Sequence, residues 1–167
     1  MMRVGNGLRP SQMIIDCAVE TEWWTSQEHL EGLANVAIGS AVDQLNQSFG
    51  EDTEVSLLFT DDAQVQQLNL QWRQMNKPTN VLSFAAQEGE GLETPVLGDI
   101  VLARETIERE SAEQQKARDD HLTHLIIHGF LHLLGFDHET ELEAEEMEKL
   151  ETVILGGLGI ADPYATA

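Results

Sequence analysis

The segment His128-Gly-Phe-Leu-His132-Leu-Leu-Gly135-Phe-Asp137-His138 concentrates three imidazoles within eleven residues. Residues four apart on a helix share a face, so His128 and His132 can aim at one point. Gly135 stands where a helix is often ended by a left-handed residue, after which the chain can turn back and present His138 to that point. Three neutral imidazoles suit a divalent ion. Around zinc they would sit at about 2.0–2.1 Å and leave a fourth position for water, the open arrangement of a catalytic site. Imidazole also suits copper, nickel and iron, and one Zn2+ per chain is the expectation because zinc is the more available ion. Alone, each histidine would be read as a surface or packed residue near a helix end. Together they are read as metal ligands.

The spacing H-x-x-x-H-x-x-G-x-x-H is also that of the zinc helix in metzincin proteases. Those enzymes carry a Glu after the first His as general base, and this chain has Gly129. The peptidase base is missing. His124 lies four residues before His128, and it and His121 can line a cleft or shuttle protons, although partly exposed positions without catalytic duty are expected. Asp137 can accept a hydrogen bond from a ligand imidazole, as groups behind metal ligands often do, or serve as a plain turn residue.

These residues need elements to hold them. The sequence predicts a strand over 13–19, then a helix capped by Ser26 that carries Leu30, Leu33, Ala37, Ala41 and Leu45 and ends near Gly50. A buried strand over 55–60 follows. Asp61 or Asp62 caps a helix with Val65, Leu68 and Trp72, which Pro78 stops. Strands are expected over 80–85 and 97–103, separated by an exposed Gly- and Glu-rich loop over 87–95. Three helices should follow, over 104–118, 120–134 and 140–155. This gives one α+β domain over 13–156, with a four-stranded mixed sheet, about five helices and the metal site on a helix and its following turn. Residues 1–12 read as a loose arm and 157–167 as an irregular tail.

Length and composition agree: 167 residues, 41% hydrophobic and 23% charged, fit a single core. No apolar stretch reaches membrane-spanning length and the first residues lack a secretory core, so a cytoplasmic protein without a membrane partner is expected. The one cysteine, Cys17, suits a reducing compartment. A net charge of −21 repels nucleic acid. Much of that excess is local, because residues 139–151 carry seven glutamates on what reads as one solvated helix face. Arg73, Lys77, Arg104, Arg109, Lys116 and Arg118 lie in the middle of the chain and leave room for a local basic surface.

With these motifs the chain resembles the YbeY family of bacterial rRNA maturation factors and single-strand-specific endoribonucleases. The HGFLHLLGFDH segment carries the likeness, supported by Leu68-Asn-Leu-Gln-Trp-Arg73, Thr79-Asn80-Val-Leu-Ser83-Phe84 and Gly98-Asp99-Ile100. The resemblance extends from about Val55 to Leu150. It implies a compact α+β domain with a metal in a cleft, held by His128, His132 and His138, and Arg73 as the catalytic arginine. It further implies work on the 3′ end of small-subunit (16S) rRNA and in ribosome quality control. Asn80 stands where the family usually has Asp, keeping hydrogen bonding but losing charge.

Chemistry gives Arg73 a task of its own, since a guanidinium can bind two nonbridging oxygens of a phosphodiester as charge builds there. Without the likeness it reads as a helix-end cation beside the last carbonyls. Lys77 is a weaker phosphate contact, and Trp72 and Phe84 can stack on unpaired bases or pack in the core. Two alternatives stand beside the nuclease: another zinc hydrolase, peptidase- or amidase-like, and a ribosome-assembly factor whose metal is structural. The acidic surface suits recruitment by a small-subunit ribosomal protein or an assembly GTPase.

Overall fold

The computed structural model describes residues 13–46, 49, 52–86 and 96–165. The arm expected over 1–12 and the loop expected over 87–95 lie outside them. The order is β1 (Ile14–Val19), α1 (Gln27–Leu45), β2 (Glu54–Thr60), α2 (Asp62–Arg73), β3 (Val81–Ala85), β4 (Val96–Ala103), α3 (Arg104–Glu113), α4 (Arg118–Leu133) and α5 (Glu141–Gly157). The class is α+β, with one four-stranded mixed sheet in the order β1-β2-β4-β3. β1, β2 and β4 run parallel, and β3 pairs antiparallel with β4.

The two faces of the sheet are covered unequally. Val55, Leu57, Phe59, Ile100 and Leu102 join the main core with residues of α1, α4 and α5. Leu82, Val101 and Ala103 face the other way and form a smaller cluster with Val65 of α2. Leu97 is squeezed out of the β2–β4 register, where Glu54 pairs with Val96 and Val55 with Gly98. Gly98 makes the bulge possible: its φ is +141°, and a Cβ there would lie 2.2 Å from the Phe84 carbonyl oxygen.

Three helix starts are capped by side chains, the first two of them at the residues the sequence offered. The side chains of Ser26, Asp61 and Thr140 accept hydrogen bonds from the backbone amides of His29, Gln64 and Glu143, and Thr140 and Glu143 complete a capping box. Helix ends depart from expectation. α1 stops at Leu45 instead of near Gly50, and α3 stops at Glu113 instead of running to 118. Both end beside a left-handed residue that is not glycine: Asn46 (φ 53°) and Gln115 (φ 56°). After Gln115, the Lys116 amide donates back to the Ser111 carbonyl. That closure frees Arg118 to begin α4, two residues earlier than expected.

α4 is the central helix, with eleven buried residues. Its sequence is apolar on nearly every side, as a helix enclosed by neighbours must be. Cys17 packs partly against the main core, and burial pushes its thiol up to about 11, which leaves it protonated and unreactive. No helix among the described residues is long and apolar enough to cross a membrane.

Candidate metal centre

The three imidazoles meet where α4 ends. His128 and His132 stand one turn apart on its half-exposed face. The helix closes in a Schellman turn: the Gly135 amide donates to the His132 carbonyl and the Phe136 amide to Leu131. Gly135, at φ +104°, is the left-handed residue that the turn requires. The reversed chain carries His138 over the helix end, and one ligand atom from each of His128, His132 and His138 lies within 4.8 Å of the others.

The ring nitrogens facing away from this point are committed. His128 Nδ1 lies 2.6 Å from Glu151 Oε2, and His132 Nδ1 lies 2.9 Å from the Phe136 carbonyl oxygen. Both partners accept only, so both Nδ1 atoms must donate. Each Nε2 then carries a lone pair, and the two Nε2 atoms face one another at 3.1 Å. Two ligand nitrogens on a tetrahedral zinc ion would lie about 3.3 Å apart. Burial, and then the neighbouring His128, hold the His132 imidazole below its usual pKa and favour its neutral, ligating form. The donor set therefore fits a divalent metal.

Glu151 escaped the sequence reading. It was grouped with the solvated glutamates of 139–151, yet its exposure is 0%. Its Oε1 accepts from His124 Nε2 at 2.7 Å and from the Tyr164 hydroxyl. Burial pushes its carboxyl up, but the hydrogen bonds from His124 and His128 together outweigh that and hold it at about 2. A signal was present, because Glu151 shares the buried stripe Met147, Glu151, Ile154, Leu155, whose 4, 7 and 8 spacing is that of a core-facing helix side.

His124 and His121 are also buried, at 9% and 4% exposure, and not partly exposed as expected. An enclosed α4 leaves them no other place. His121 Nε2 pairs with Glu110 Oε1 at 2.8 Å, and the same oxygen accepts from Asn80 Nδ2 at 2.9 Å. An aspartate at position 80 could not donate that bond. Asp137 makes no hydrogen bond to a ligand imidazole among the described residues. Its carboxylate accepts from the His138 backbone amide at 2.8 Å, which holds it below the usual carboxylate pKa and stiffens the turn instead.

Gly129 has a steric cause. A Cβ there would come 2.8 Å from Ile100 Cγ2 and 3.0 Å from Ser83 Oγ, which donates to the Gly129 carbonyl. α4 lies so close to the sheet that a glutamate base has no room at this position.

The metal point opens into a cleft of about 400 Å³ walled by Arg73, Thr79, Asn80, Val81, Ser83, Ala85, Asp137 and the three histidines. Arg73 is the last residue of α2, exposed, with no carboxylate within 4.0 Å among the described residues. Lys77 is exposed but does not line the cleft. Arg104 and Arg118 pair with Glu108, which takes them from the list of free phosphate contacts. Trp72 is 64% exposed, whereas Phe84 packs against the smaller cluster.

A mixed sheet backed by a helix whose end gathers three converging imidazoles beside an open cleft defines a class, that of domains built to hold a metal for hydrolysis. Within that class the assignment is specific: the family model described as endoribonuclease YbeY matches residues 18–159, and the chain belongs to this family. Endoribonuclease YbeY of Agrobacterium fabrum is 51% identical over 158 residues, covering 90% of this chain and 94% of that protein. Its counterpart in Allorhizobium ampelinum is 52% identical over 157 residues, with the same coverage. The solution structure of TM1509 from Thermotoga maritima covers 92% of this chain and all of that one, with a TM-score of 0.54 at 23% identity, a likeness of fold.

Proposed function

We propose that the chain is a zinc-dependent endoribonuclease that cuts single-stranded RNA in maturing the 3′ end of small-subunit rRNA, with His128, His132 and His138 as ligands and Arg73 as the catalytic arginine. The observation that carries the reading is the pair of Nε2 lone pairs turned toward each other at 3.1 Å, with the opposite ring nitrogens already committed. A cation answers that repulsion, and His138 completes a three-nitrogen set. Bound there, zinc would supply Lewis-acid polarisation of the phosphoryl group and make water a better nucleophile near neutral pH.

The chain's own residues do the rest. Arg73 reaches the same cleft without a competing carboxylate among the described residues, so its guanidinium is available to bind two nonbridging oxygens. Asn80 and Thr79 line the same cleft and offer neutral polar groups to a phosphodiester. Trp72, exposed near Arg73, offers a ring on which an unpaired base can stack. The peptidase reading loses support at Gly129, where the base has no room.

Glu141, Glu143, Glu145, Glu146 and Glu148 remain exposed on α5 and repel RNA. This face supports recruitment by a basic small-subunit ribosomal protein or an assembly GTPase, a share in ribosome quality control, and hence a cytoplasmic location. The test is cleavage of a labelled single-stranded RNA by wild-type, His128→Ala and Arg73→Ala proteins, with metal measured on each. The nuclease reading expects His128→Ala to lose metal and cleavage, and Arg73→Ala to keep metal and lose cleavage. Equal cleavage by all three would leave an assembly factor with a structural metal.

A further inference from the structure

Residues 158–165 follow α5 without helix or strand, yet they are tied down at two points. The Asp162 carboxylate accepts from Thr152 Oγ1 at 3.1 Å and from the Tyr164 backbone amide at 2.8 Å. This bends the segment back along α5. The Tyr164 ring then stands edge-on to His124, with centroids 5.6 Å apart, and its hydroxyl donates to Glu151 Oε1. Three donors thus converge on one carboxylate, namely His128 Nδ1, His124 Nε2 and the Tyr164 hydroxyl.

Glu151 has no other anchor among the described residues, and its side chain is fully enclosed. If two of those donors hold Oε1, the remaining oxygen is fixed in place to receive His128. An imidazole whose Nδ1–H is pinned in this way keeps one tautomer and one ring angle, so its Nε2 lone pair stays on the metal point. His132 needs no such help, because the Phe136 carbonyl beside it does the same work locally.

We propose that Glu151 and Tyr164 are positioning residues for the metal: the C-terminal segment clamps the carboxylate that orients His128, so residues far beyond the ligand motif set metal affinity and geometry. This rests on the metal reading above. The amide in Glu151→Gln presents an NH2 group in place of one carboxylate oxygen, so a group that donated there must now accept or lose its bond, and the cluster must reshuffle. Tyr164→Phe keeps the ring and removes one donor.

The experiment is zinc competition against a chromophoric chelator, together with the visible spectrum of the cobalt(II)-loaded protein, on wild type, Glu151→Gln, Tyr164→Phe and His128→Ala. Glu151→Gln should bind zinc about 10–100-fold more weakly. Tyr164→Phe should lose about three- to tenfold, the worth of one hydrogen bond. Both should alter the cobalt bands. A merely structural role would lower the melting temperature of the metal-free protein and leave the cobalt spectrum unchanged. If Glu151→Gln fails to fold, Tyr164→Phe carries the test, since its ring stays to pack. Wild-type zinc affinity and cobalt bands in Tyr164→Phe overturn the clamp. Wild-type behaviour of both variants alongside loss of metal in His128→Ala overturns the inference and leaves the three-histidine site standing. A wild-type protein that binds no zinc removes the site itself.

Discussion

On the α4 side of the cleft, His128 and His132 each have one ring nitrogen bound to an acceptor, and the helix behind them packs against the sheet without room for a Cβ at Gly129. Arg73, which lines the same cleft, and its neighbour Trp72, which lies outside the lining, are exposed at the end of α2, and Arg73 has no carboxylate partner among the described residues. The contrast follows from what each wall would bind. A metal tolerates errors of a few tenths of an ångström in its ligands, so that wall is overdetermined. A single-stranded polymer arrives in many conformations, and a wall of long, unpaired side chains can follow it. Stability should therefore reside in one wall and substrate affinity in the other.

The largest blow to this contrast is Gly129→Glu. It drives a charged side chain into Ile100 and Ser83 and should cost about 3 kcal/mol or more in urea unfolding. Normal stability with new peptidase activity would refute the packing argument. Next comes Arg73→Ala, expected to reduce RNA cleavage about 10²–10³-fold while unfolding stability changes by less than about 0.5 kcal/mol. A comparable loss of stability would mean that this wall is structural too. Trp72→Ala should weaken single-stranded RNA binding by about tenfold, measured by fluorescence anisotropy, again with unchanged stability.

The smallest effect sharpens the comparison, because Glu110 ties Asn80 of the cleft to His121 of α4. The hydrogen bond from His121, opposed by burial and helped by Asn80, holds the Glu110 carboxyl below its usual pKa. A depressed carboxylate stabilises the fold fully above its unfolded pKa, and that contribution is lost as pH falls through the folded value. Glu110→Gln should therefore be less stable than wild type at neutral pH, with the gap closing as the medium is acidified below the ordinary carboxylate range. A gap that widens in acid would reverse the assignment.

Much of the three-histidine cluster was legible because its signals are local. His128, His132, Gly135 and His138 act through helix periodicity and one turn, and Ser26 and Asp61 announce helix starts through their side chains. The helix breaks at Asn46 and Gln115 were hidden, because a left-handed residue other than glycine is imposed by tertiary packing and leaves no compositional mark. Glu151 was hidden among acidic neighbours. Only its place on the Met147–Ile154–Leu155 stripe separates it from them, and the partners that make its burial tolerable come from α4 and from Tyr164. The cleft wall at Arg73 needed the sheet, because Arg73, Val81 and Ser83 meet the histidines only once the edge strand β3 is in place.

The distribution of the centre along the chain also has a consequence in time. The imidazoles lie within eleven residues, so closing that loop costs little entropy and the Schellman turn can form as soon as α4 does. Glu151 and Tyr164 are made later, 13 and 26 residues beyond His138. During synthesis from the N-terminus the ligands are therefore gathered before the carboxylate that aligns them has docked. Alignment of the site then follows its gathering, and a chain cut short before Tyr164 would keep its motif and its helices while lacking the clamp on His128.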